Sequence, residues 1–412
     1  MLCLGFYRDF ARNPRFIDTR FWHRLRWAWF LGKNTSHNEV EKKVMENDRR
    51  LMREELRPIA DKVFSGQRLS FEDGVVLYTT PDLHTVGALA NWVREKWNGN
   101  IGYFNVNRHL NPTNVCVVDC KFCGFARKPN KGGYTMSLEE AYHHASQGYT
   151  EAVTELHIVG GLHPYLPFSY FTDLLRGLKE RFPKVHLKAF TMVELDFLAR
   201  RAKLSVEDTI QALKDAGMDS CPGGGAEIFA ERAREIICDH KVSAERWLDI
   251  ARKVHKSGLR SNATMLYGHV ETAEERVDHL MRLRGLQDET GGFQCFIPLA
   301  FHPANTQLTH LPGPTAMLDL RTISVARLML DNFPHVKAYW IMIGAKTAQL
   351  GLNFGADDLD GTVVEEKIVH MAGAQTPVGM TRAEIEHLIR DAGRDPVERD
   401  TLYRPVHRAA AA

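Results

Sequence analysis

Short runs of β-forming residues alternate with amphipathic helical segments from about residue 100 onward, and this alternation constrains the fold more than any other feature. Strand–helix units that recur at intervals of ~30–50 residues indicate a parallel sheet with right-handed crossovers. Seven or eight such units predict an α/β fold, a (β/α)8-type TIM barrel. The candidate strands are Tyr103–Asn107, Ala152–Val159, Val185–Thr191, Met218–Cys221, Arg260–Leu266, Phe293–Leu299, Val336–Ile343 and Phe354–Leu359.

Glycine, proline and polar residues follow several of these strands. In a barrel, the carboxyl ends of the strands form the face on which active sites are built. Glycine and proline also simply terminate strands, so breakers alone do not establish a site. The polar residues that accompany them favour a functional face. The segments concerned are Gly160-Gly161, Pro222–Gly225, Tyr267-Gly268-His269 and His302-Pro303.

The remaining segments flank the barrel, which we expect to span residues 101–361. Residues 46–100 have a helical period and predict a helical leader, with helix starts at Ser70 and at Thr80-Pro81-Asp82. Residues 362–412 predict a C-terminal extension that packs on the barrel, with a short helix opened by Thr381 and a loose tail.

Residues 1–45 differ in composition from the rest of the chain, because arginines and aromatic residues dominate their first 36 positions. We interpret this segment as an extension that is disordered, or as an artefact of a misassigned start codon with Met45 or Met52 as the true beginning. A basic amphipathic segment that touches a membrane surface or a partner is the alternative.

The net charge and the number and spacing of cysteines limit the classes of function that this chain can have. The 53 basic and 51 acidic residues give a formal net charge of +2, which provides no general attraction to nucleic acid or membranes. No stretch approaches the ~18 apolar residues of a transmembrane helix. Seven cysteines, three of them within eight residues, predict metal-binding thiols in a reducing cytoplasm rather than a disulfide framework.

Cys116, Cys120 and Cys123 are spaced C-x3-C-x2-C, with the aromatic Phe122 before the last cysteine. Three thiolates at this spacing can ligate three irons of a cubane cluster and leave the fourth iron open for chemistry, whereas electron-transfer ferredoxins normally use four cysteines. A structural zinc site is the rival interpretation. It usually pairs C-x2-C with a distant second pair, which is missing, although a histidine could complete a Cys3His site.

The cysteine motif resembles that of the radical S-adenosylmethionine (SAM) superfamily, C-x3-C-x-aromatic-C. Further segments resemble one group within it, which contains the aminofutalosine synthases, the dehypoxanthine futalosine cyclases and the deazaflavin-precursor synthases. Gly160–Pro164 and Ala300–Pro303 are similar to the aminofutalosine synthases in particular. The other matching segments are Asn107–Asn114, Lys188–Thr191, Pro222–Ile228, Met265–Glu271 and Ile297–Leu299.

This resemblance implies roles for individual residues. The three cysteines would hold a [4Fe–4S] cluster, and SAM would be consumed as a co-substrate. The implied SAM contacts are Phe122, Gly160, Gly161, Glu194 and Glu227, and the candidate substrate contacts are His163, Tyr267, His269 and His302. Each of these residues also has an ordinary structural role open to it, such as core packing for Phe122 or a helix-start carboxylate for Glu194 and Glu227.

The resemblance also implies a reaction and partners. A 5′-deoxyadenosyl radical would add to 3-[(1-carboxyvinyl)oxy]benzoate to give 6-amino-6-deoxyfutalosine, a step toward menaquinone. The partners would be this small aromatic carboxylate and a low-potential electron donor such as flavodoxin or ferredoxin. The cyclase is the alternative of the same class, and an iron–sulfur electron carrier or a zinc-stabilised binding protein is the alternative of a different class.

We predict that residues 1–36 are dispensable, because their composition changes abruptly and they have no counterpart in the resembled family. A chain that begins near Met45 should fold and turn over like the full chain, as measured by thermal unfolding and product formation. A clear loss of stability or activity would refute this interpretation. Liposome binding that disappears with the segment would support a membrane role instead.

Overall fold

The computed structural model describes residues 52–408 apart from Glu365. The predicted N-terminal extension, residues 1–45, lies outside the described residues, and so does the end of the predicted tail, residues 409–412. Within the part that is described, no helix is both long enough and apolar enough to cross a bilayer.

Between residue 52 and the first described strand lie three α-helices, as the helical period predicts: α1 (Arg57–Ser65), α2 (Phe71–Thr79) and α3 (Leu83–Asn98). Ser70 begins α2 with a capping box, in which the Ser70 hydroxyl and the Asp73 carboxylate each accept a backbone N–H of the other residue. The Asp82 carboxylate accepts from the Thr85 N–H and begins α3. The predicted start at Ser70 is therefore confirmed, whereas the second start lies at Asp82, because Thr80 is the C-cap of α2.

Seven parallel strands form one curled sheet, and their spatial order equals their order in the chain. Amphipathic helices connect them, so the α/β barrel class is confirmed, as a half-barrel of seven strands. The strands are β2 (Asn107–Leu110), β3 (Glu155–Ile158), β4 (His186–Ala189), β5 (Ser220–Cys221), β6 (Arg260–Tyr267), β7 (Phe293–Ala300) and β8 (His335–Val336). The connecting helices are α4 (Leu138–Ser146), α5 (Phe168–Arg181), α6 (Met192–Ala202), α7 (Val206–Asp215), α8 (Glu231–Cys238), α9 (Ala244–Lys256), α10 (Ala273–Thr290) and α11 (Ala316–Met329).

A second parallel sheet of three strands places β1 (Ile101–Asn105) between β9 (Asp358–Gly361) and β10 (Asp395–Glu398). The sequence predicts one strand over 103–107, whereas the chain leaves one sheet after Asn105 and enters the other at Asn107. No local pattern marks this change, because both strands are buried and short. Strand β10 was not predicted.

The predicted strand over 336–343 is only partly correct, since β8 ends at Val336 and a short helix, α12 (Trp340–Ile343), follows. A short apolar run does not distinguish a buried strand from a buried helix turn. The remaining helices are α13 (Ala345–Gly351), α14 (Ile368–Ala372) and α15 (Arg382–Asp391). Thr381 begins α15 with a capping box, and Ser137 and Thr272 do the same for α4 and α10. Each of the three is followed by glutamate three positions later, and this Ser/Thr-x-x-Glu pattern predicts such a cap from sequence.

Arg399 anchors the segment after β10 to β9. Its Nε lies 2.6 Å from Asp358 Oδ2, and both side chains are at most 1% exposed. A buried guanidinium is stable only when its charge and hydrogen bonds are matched, so this ion pair fixes where the C-terminal segment can pack.

We expect Arg399→Met to destabilise the protein by about 3–5 kcal/mol, because the substitution leaves Asp358 buried without its partner. The denaturant midpoint of unfolding measures this. Arg404→Met is the matched control, since Arg404 pairs with Asp400 but is 72% exposed, and its midpoint should not change measurably. Equal effects of the two substitutions would contradict the anchoring role of Arg399.

Candidate active site

A cavity of about 330 Å³ lies at the carboxyl ends of the seven barrel strands. Its walls are formed by residues at the strand ends and in the loops that follow them, and this is the face on which the sequence predicts a site. The volume is within the range of small-molecule sites.

The loop between β2 and α4 brings Cys116, Cys120 and Cys123 to the wall of this cavity. Backbone hydrogen bonds shape the loop: the Cys116 N–H donates to the Arg127 carbonyl at 2.8 Å, and the Cys123 N–H donates to the Cys120 carbonyl at 3.0 Å. The Ala126 N–H lies 3.4 Å from Cys123 Sγ and donates to it. Burial raises the pKa of the Cys120 and Cys123 thiols, so a bound cation is needed to hold them as thiolates at neutral pH.

Gly160 and Gly161 follow β3 and line the cavity next to the cysteine loop. A Cβ at position 161 would lie 2.3 Å from the Val115 carbonyl oxygen, so only glycine lets the two backbones approach this closely. The Gly161 N–H donates to the Thr113 carbonyl at 2.8 Å. Gly161 therefore positions the cysteine loop.

Glu194 reaches the same wall from the start of α6. Its Oε1 accepts the Gly160 N–H at 3.0 Å, and its Oε2 accepts the Thr191 N–H at 2.7 Å in the capping box of the helix. Burial raises the pKa of Glu194 to about 7, although the hydrogen bonds from Thr191 and Gly160 favour the carboxylate and act to lower it. The side chain both caps the helix and holds the Gly160-Gly161 edge in place.

Phe122 and Glu227 also line the cavity, and a lysine that sequence reasoning missed joins them. Lys241 forms an ion pair with the Glu227 carboxylate, and its Nζ lies 5.5 Å from the centroid of the Phe122 ring. Glu227 precedes the helix rather than opening it, since α8 begins at Glu231. We call this end of the cavity, with the three cysteines, the thiol end.

Of the four histidine and tyrosine positions proposed as substrate contacts, the structure brings only His302 to the cavity. Its Nε2 donates to the Met342 carbonyl at 2.9 Å. Tyr267 is fully buried and its hydroxyl donates to Asp319 at 2.7 Å. His269 lies 3.0 Å from Glu271, with both side chains buried, and the His163 ring accepts from the backbone of its own loop. Tyr267, His269 and His163 thus do not line this cavity, and a substrate contact by any of them stays a prediction.

The cavity has a second polar region, which we call the polar floor: His109, His157, Lys188, Lys337 and Tyr339. The first three occupy paired positions on neighbouring strands β2, β3 and β4, so they share the inward face of the sheet. The two imidazoles stack with centroids 4.7 Å apart. Polar residues inside strands that are otherwise apolar were the sequence signal for this region, since buried parallel strands are normally apolar throughout.

Ion pairs neutralise the two lysines of the polar floor. Lys188 Nζ lies 2.7 Å from Glu155 Oε2, and Lys337 Nζ lies 2.7 Å from Asp360 Oδ1. Burial alone would raise the pKa of Glu155, but Lys188 keeps it well below its usual range.

Two known protein families match most of this chain. Residues 110–283 match the model of the Radical SAM superfamily, and residues 290–411 match that of the CofH/MqnC C-terminal region. The chain is 51% identical over 354 residues to the aminodeoxyfutalosine synthase of Thermus thermophilus, an alignment that covers 85% of this chain and 95% of that protein. The chain belongs to the radical SAM superfamily. Membership implies a [4Fe–4S] cluster and SAM in general.

Two further relatives are similar to this radical SAM protein over most of its length. It is 49% identical to the aminodeoxyfutalosine synthase of Streptomyces coelicolor, over 84% of this chain and 93% of that protein. It is 38% identical to the cyclic dehypoxanthine futalosine synthase of the same organism, over 85% and 88% respectively.

Solved structures agree with the fold. Methylornithine synthase superposes with a TM-score of 0.64 at 17% identity, over 82% of this chain and 96% of that one. The FeFe-hydrogenase maturase HydG from Carboxydothermus hydrogenoformans superposes with a TM-score of 0.63 at 17% identity, over 93% and 86%. At this level of identity the likeness concerns the fold alone.

The residues at the thiol end fit a [4Fe–4S] cluster. Three thiols line one wall, and a backbone N–H already donates to one of the sulfurs. Among residues 52–408, no group of three or more His, Cys, Asp or Glu side chains converges on a single metal ion, whereas a cubane spreads its three thiolates over three irons. Cys116, Cys120 and Cys123 are thus the residues that would hold the cluster.

We expect anaerobically reconstituted protein to carry about four irons per chain, as a cubane requires. Changing Cys116, Cys120 or Cys123 to Ala should abolish turnover and reduce the iron content, measured by iron analysis and by the visible absorption of the cluster. Cys295→Ala is the matched control, because Cys295 is fully buried on β7 and does not line the cavity. A requirement for Cys295, Cys221 or Cys238 in cluster binding would show that the ligand assignment is wrong.

Proposed function

We propose that this radical SAM enzyme is an aminodeoxyfutalosine synthase, which joins the 5′-deoxyadenosyl group of SAM to 3-[(1-carboxyvinyl)oxy]benzoate. The observation that carries the proposal is the identity of 51% and 49% to two such synthases over nearly their whole length, against 38% to the cyclase. The cavity supports it, because its thiol end and its polar floor suit a cluster-bound sulfonium and an anionic substrate respectively.

When bound, the cluster supplies the electron that breaks the C5′–S bond of SAM, which gives methionine and the 5′-deoxyadenosyl radical. The radical carbon then adds to the enol-ether double bond of the substrate. Rearrangement onto the aromatic ring would follow. The carboxyl group would then leave as bicarbonate with uptake of one water, and release of one electron, which balances the electron supplied to SAM, would give 6-amino-6-deoxyfutalosine. The bond-breaking chemistry belongs to the cofactor, and the protein binds, orients and shields the reactants.

Individual side chains supply this positioning. We propose that the Gly160-Gly161 edge, held by Glu194, presents backbone groups to the methionyl part of SAM. Phe122 would stack on the adenine, and Glu227, whose charge Lys241 balances, would bind polar groups of SAM at the thiol end. His302 contributes a ring to the wall between β7 and α12, where it would contact the substrate.

The electron has to come from outside the chain. We propose a low-potential one-electron donor such as flavodoxin or ferredoxin, and a cytoplasmic location in which free thiols persist. Six cysteines of the described region are free, including the three at the thiol end.

The fate of the adenosyl label tests the proposal against the cyclase. We expect SAM labelled with carbon-13 in the ribose, supplied with a low-potential reductant and 3-[(1-carboxyvinyl)oxy]benzoate, to place the label in a coupled product. Little free 5′-deoxyadenosine should form, because the radical carbon becomes bonded to the former vinyl carbon. Mass spectrometry of both species is the measurement. Label that stays in free 5′-deoxyadenosine while dehypoxanthine futalosine is cyclised would assign the cyclase reaction instead.

A further inference from the structure

The polar floor has hydrogen-bond donors for which the described part of the chain provides no acceptor. An ammonium group has three donors, and Lys188 and Lys337 each spend one of them on a carboxylate, Glu155 and Asp360 respectively. Both ammonium groups line the cavity although their side chains are only 4% and 3% exposed. Two buried cations at the wall of one cavity therefore carry N–H groups that make no hydrogen bond within the described residues.

The other members of the polar floor lack partners within the described residues. His109 is 7% exposed and Tyr339 is 9% exposed, and neither the imidazoles of His109 and His157 nor the Tyr339 hydroxyl makes a hydrogen bond there. Burial lowers the pKa of both histidines, so each neutral ring offers one N–H donor at pH 7. Buried polar groups without partners are costly, and a ligand that accepts their hydrogen bonds removes this cost.

The charge pattern of the polar floor specifies the kind of ligand. Burial lowers the pKa of Lys188, and the nearby charge of Glu155 raises it. Lys337 lowers it further by a smaller amount. The carboxylates of Glu155, Asp360 and Glu366 also line this cavity, but each is already paired, with Lys188, Lys337 and His370 respectively. The unused N–H groups therefore need an acceptor that a ligand supplies. A carboxylate matches this arrangement, since its two oxygens accept several charge-assisted hydrogen bonds at once.

We infer that the polar floor is the subsite that binds the benzoate carboxylate of the substrate. This inference rests on the proposed function, in which the vinyl double bond must meet the C5′ radical at the thiol end. The aromatic ring holds the benzoate carboxylate away from that double bond, so a part of the cavity other than the cysteine loop receives it. His109, His157 and Lys188 lie within strands β2, β3 and β4, whereas the cysteines lie in the loop that follows β2. The thiols interact with Lys241 and Glu227, whereas Lys188 and Lys337 interact with Glu155 and Asp360.

Two variants test this assignment without leaving a buried charge unpaired. Lys337→Met combined with Asp360→Asn removes one ion pair as a unit, and Asp360 has a φ of 74°, which asparagine tolerates. Tyr339→Phe removes only a hydroxyl and keeps the ring. Lys179→Met with Asp219→Asn is the matched control, because this pair, 2.5 Å apart, lies away from the cavity.

The measurement is kcat/KM of the reconstituted holoenzyme for the benzoate substrate and for its benzamide analogue. For the benzoate, we expect a loss of about 10- to 100-fold in the Lys337/Asp360 double variant, as the loss of a hydrogen bond to a charged group implies. The loss for the benzamide should be smaller, so the preference for the carboxylate falls. Iron content and SAM binding should stay at wild-type values, and the control variant should keep the wild-type preference.

An unchanged preference for the carboxylate in both the double variant and Tyr339→Phe overturns the assignment of the polar floor, while the proposed function stands. A wild-type holoenzyme that does not convert the benzoate substrate overturns the proposed function and this assignment together. If the double variant loses its cluster or its fold, Tyr339→Phe alone decides, through the same ratio of the two substrates.

Discussion

The pairing of buried charges inside the barrel is the constraint on which the rest of the structure depends. Lys337 reaches Asp360, and Arg399 reaches Asp358, so both cations depend on carboxylates of β9. An uncompensated charge at such depth costs several kcal/mol, which makes the position of β9 a condition for a polar interior. The small sheet of β10, β1 and β9 therefore does more than cover the barrel, because its strand β9 supplies the counter-charge of Lys337 in the cavity.

The thiol end comes from one part of the chain, whereas the polar floor combines His109, His157 and Lys188 with residues from a second part. The thiol end is built from the region that matches the Radical SAM superfamily, between residues 110 and 283. Lys337, Tyr339 and Asp360 come from the region that matches the CofH/MqnC C-terminal region, between residues 290 and 411. Cluster and SAM chemistry needs a fixed arrangement of ligands. The residues that line the rest of the cavity can then differ between enzymes and select the substrate.

Several residues at the thiol end serve the fold and the site at once. Glu194 begins α6 and also holds the Gly160 N–H, and Gly161 allows the backbone contact that sets the cysteine loop against β3. Such shared roles explain why a structural reading and a functional reading of one residue were both reasonable from the sequence. In this fold the helix cap is what positions the edge of the site.

The sequence by itself determined the barrel class, the helix starts at Ser70, Thr272 and Thr381, and the cysteine loop, because periodicity, capping and ligand spacing are local properties. It did not determine that 101–110 splits between two sheets, nor that Tyr267 and His269 turn away from the cavity toward Asp319 and Glu271. His269 meets Glu271 through the local conformation of its loop, whereas the split between the sheets and the Tyr267–Asp319 contact depend on partners far along the chain. The polar floor is of the same kind: its members are up to 230 positions apart, from His109 to Tyr339, and only the curling of the parallel sheet brings their side chains to one cavity.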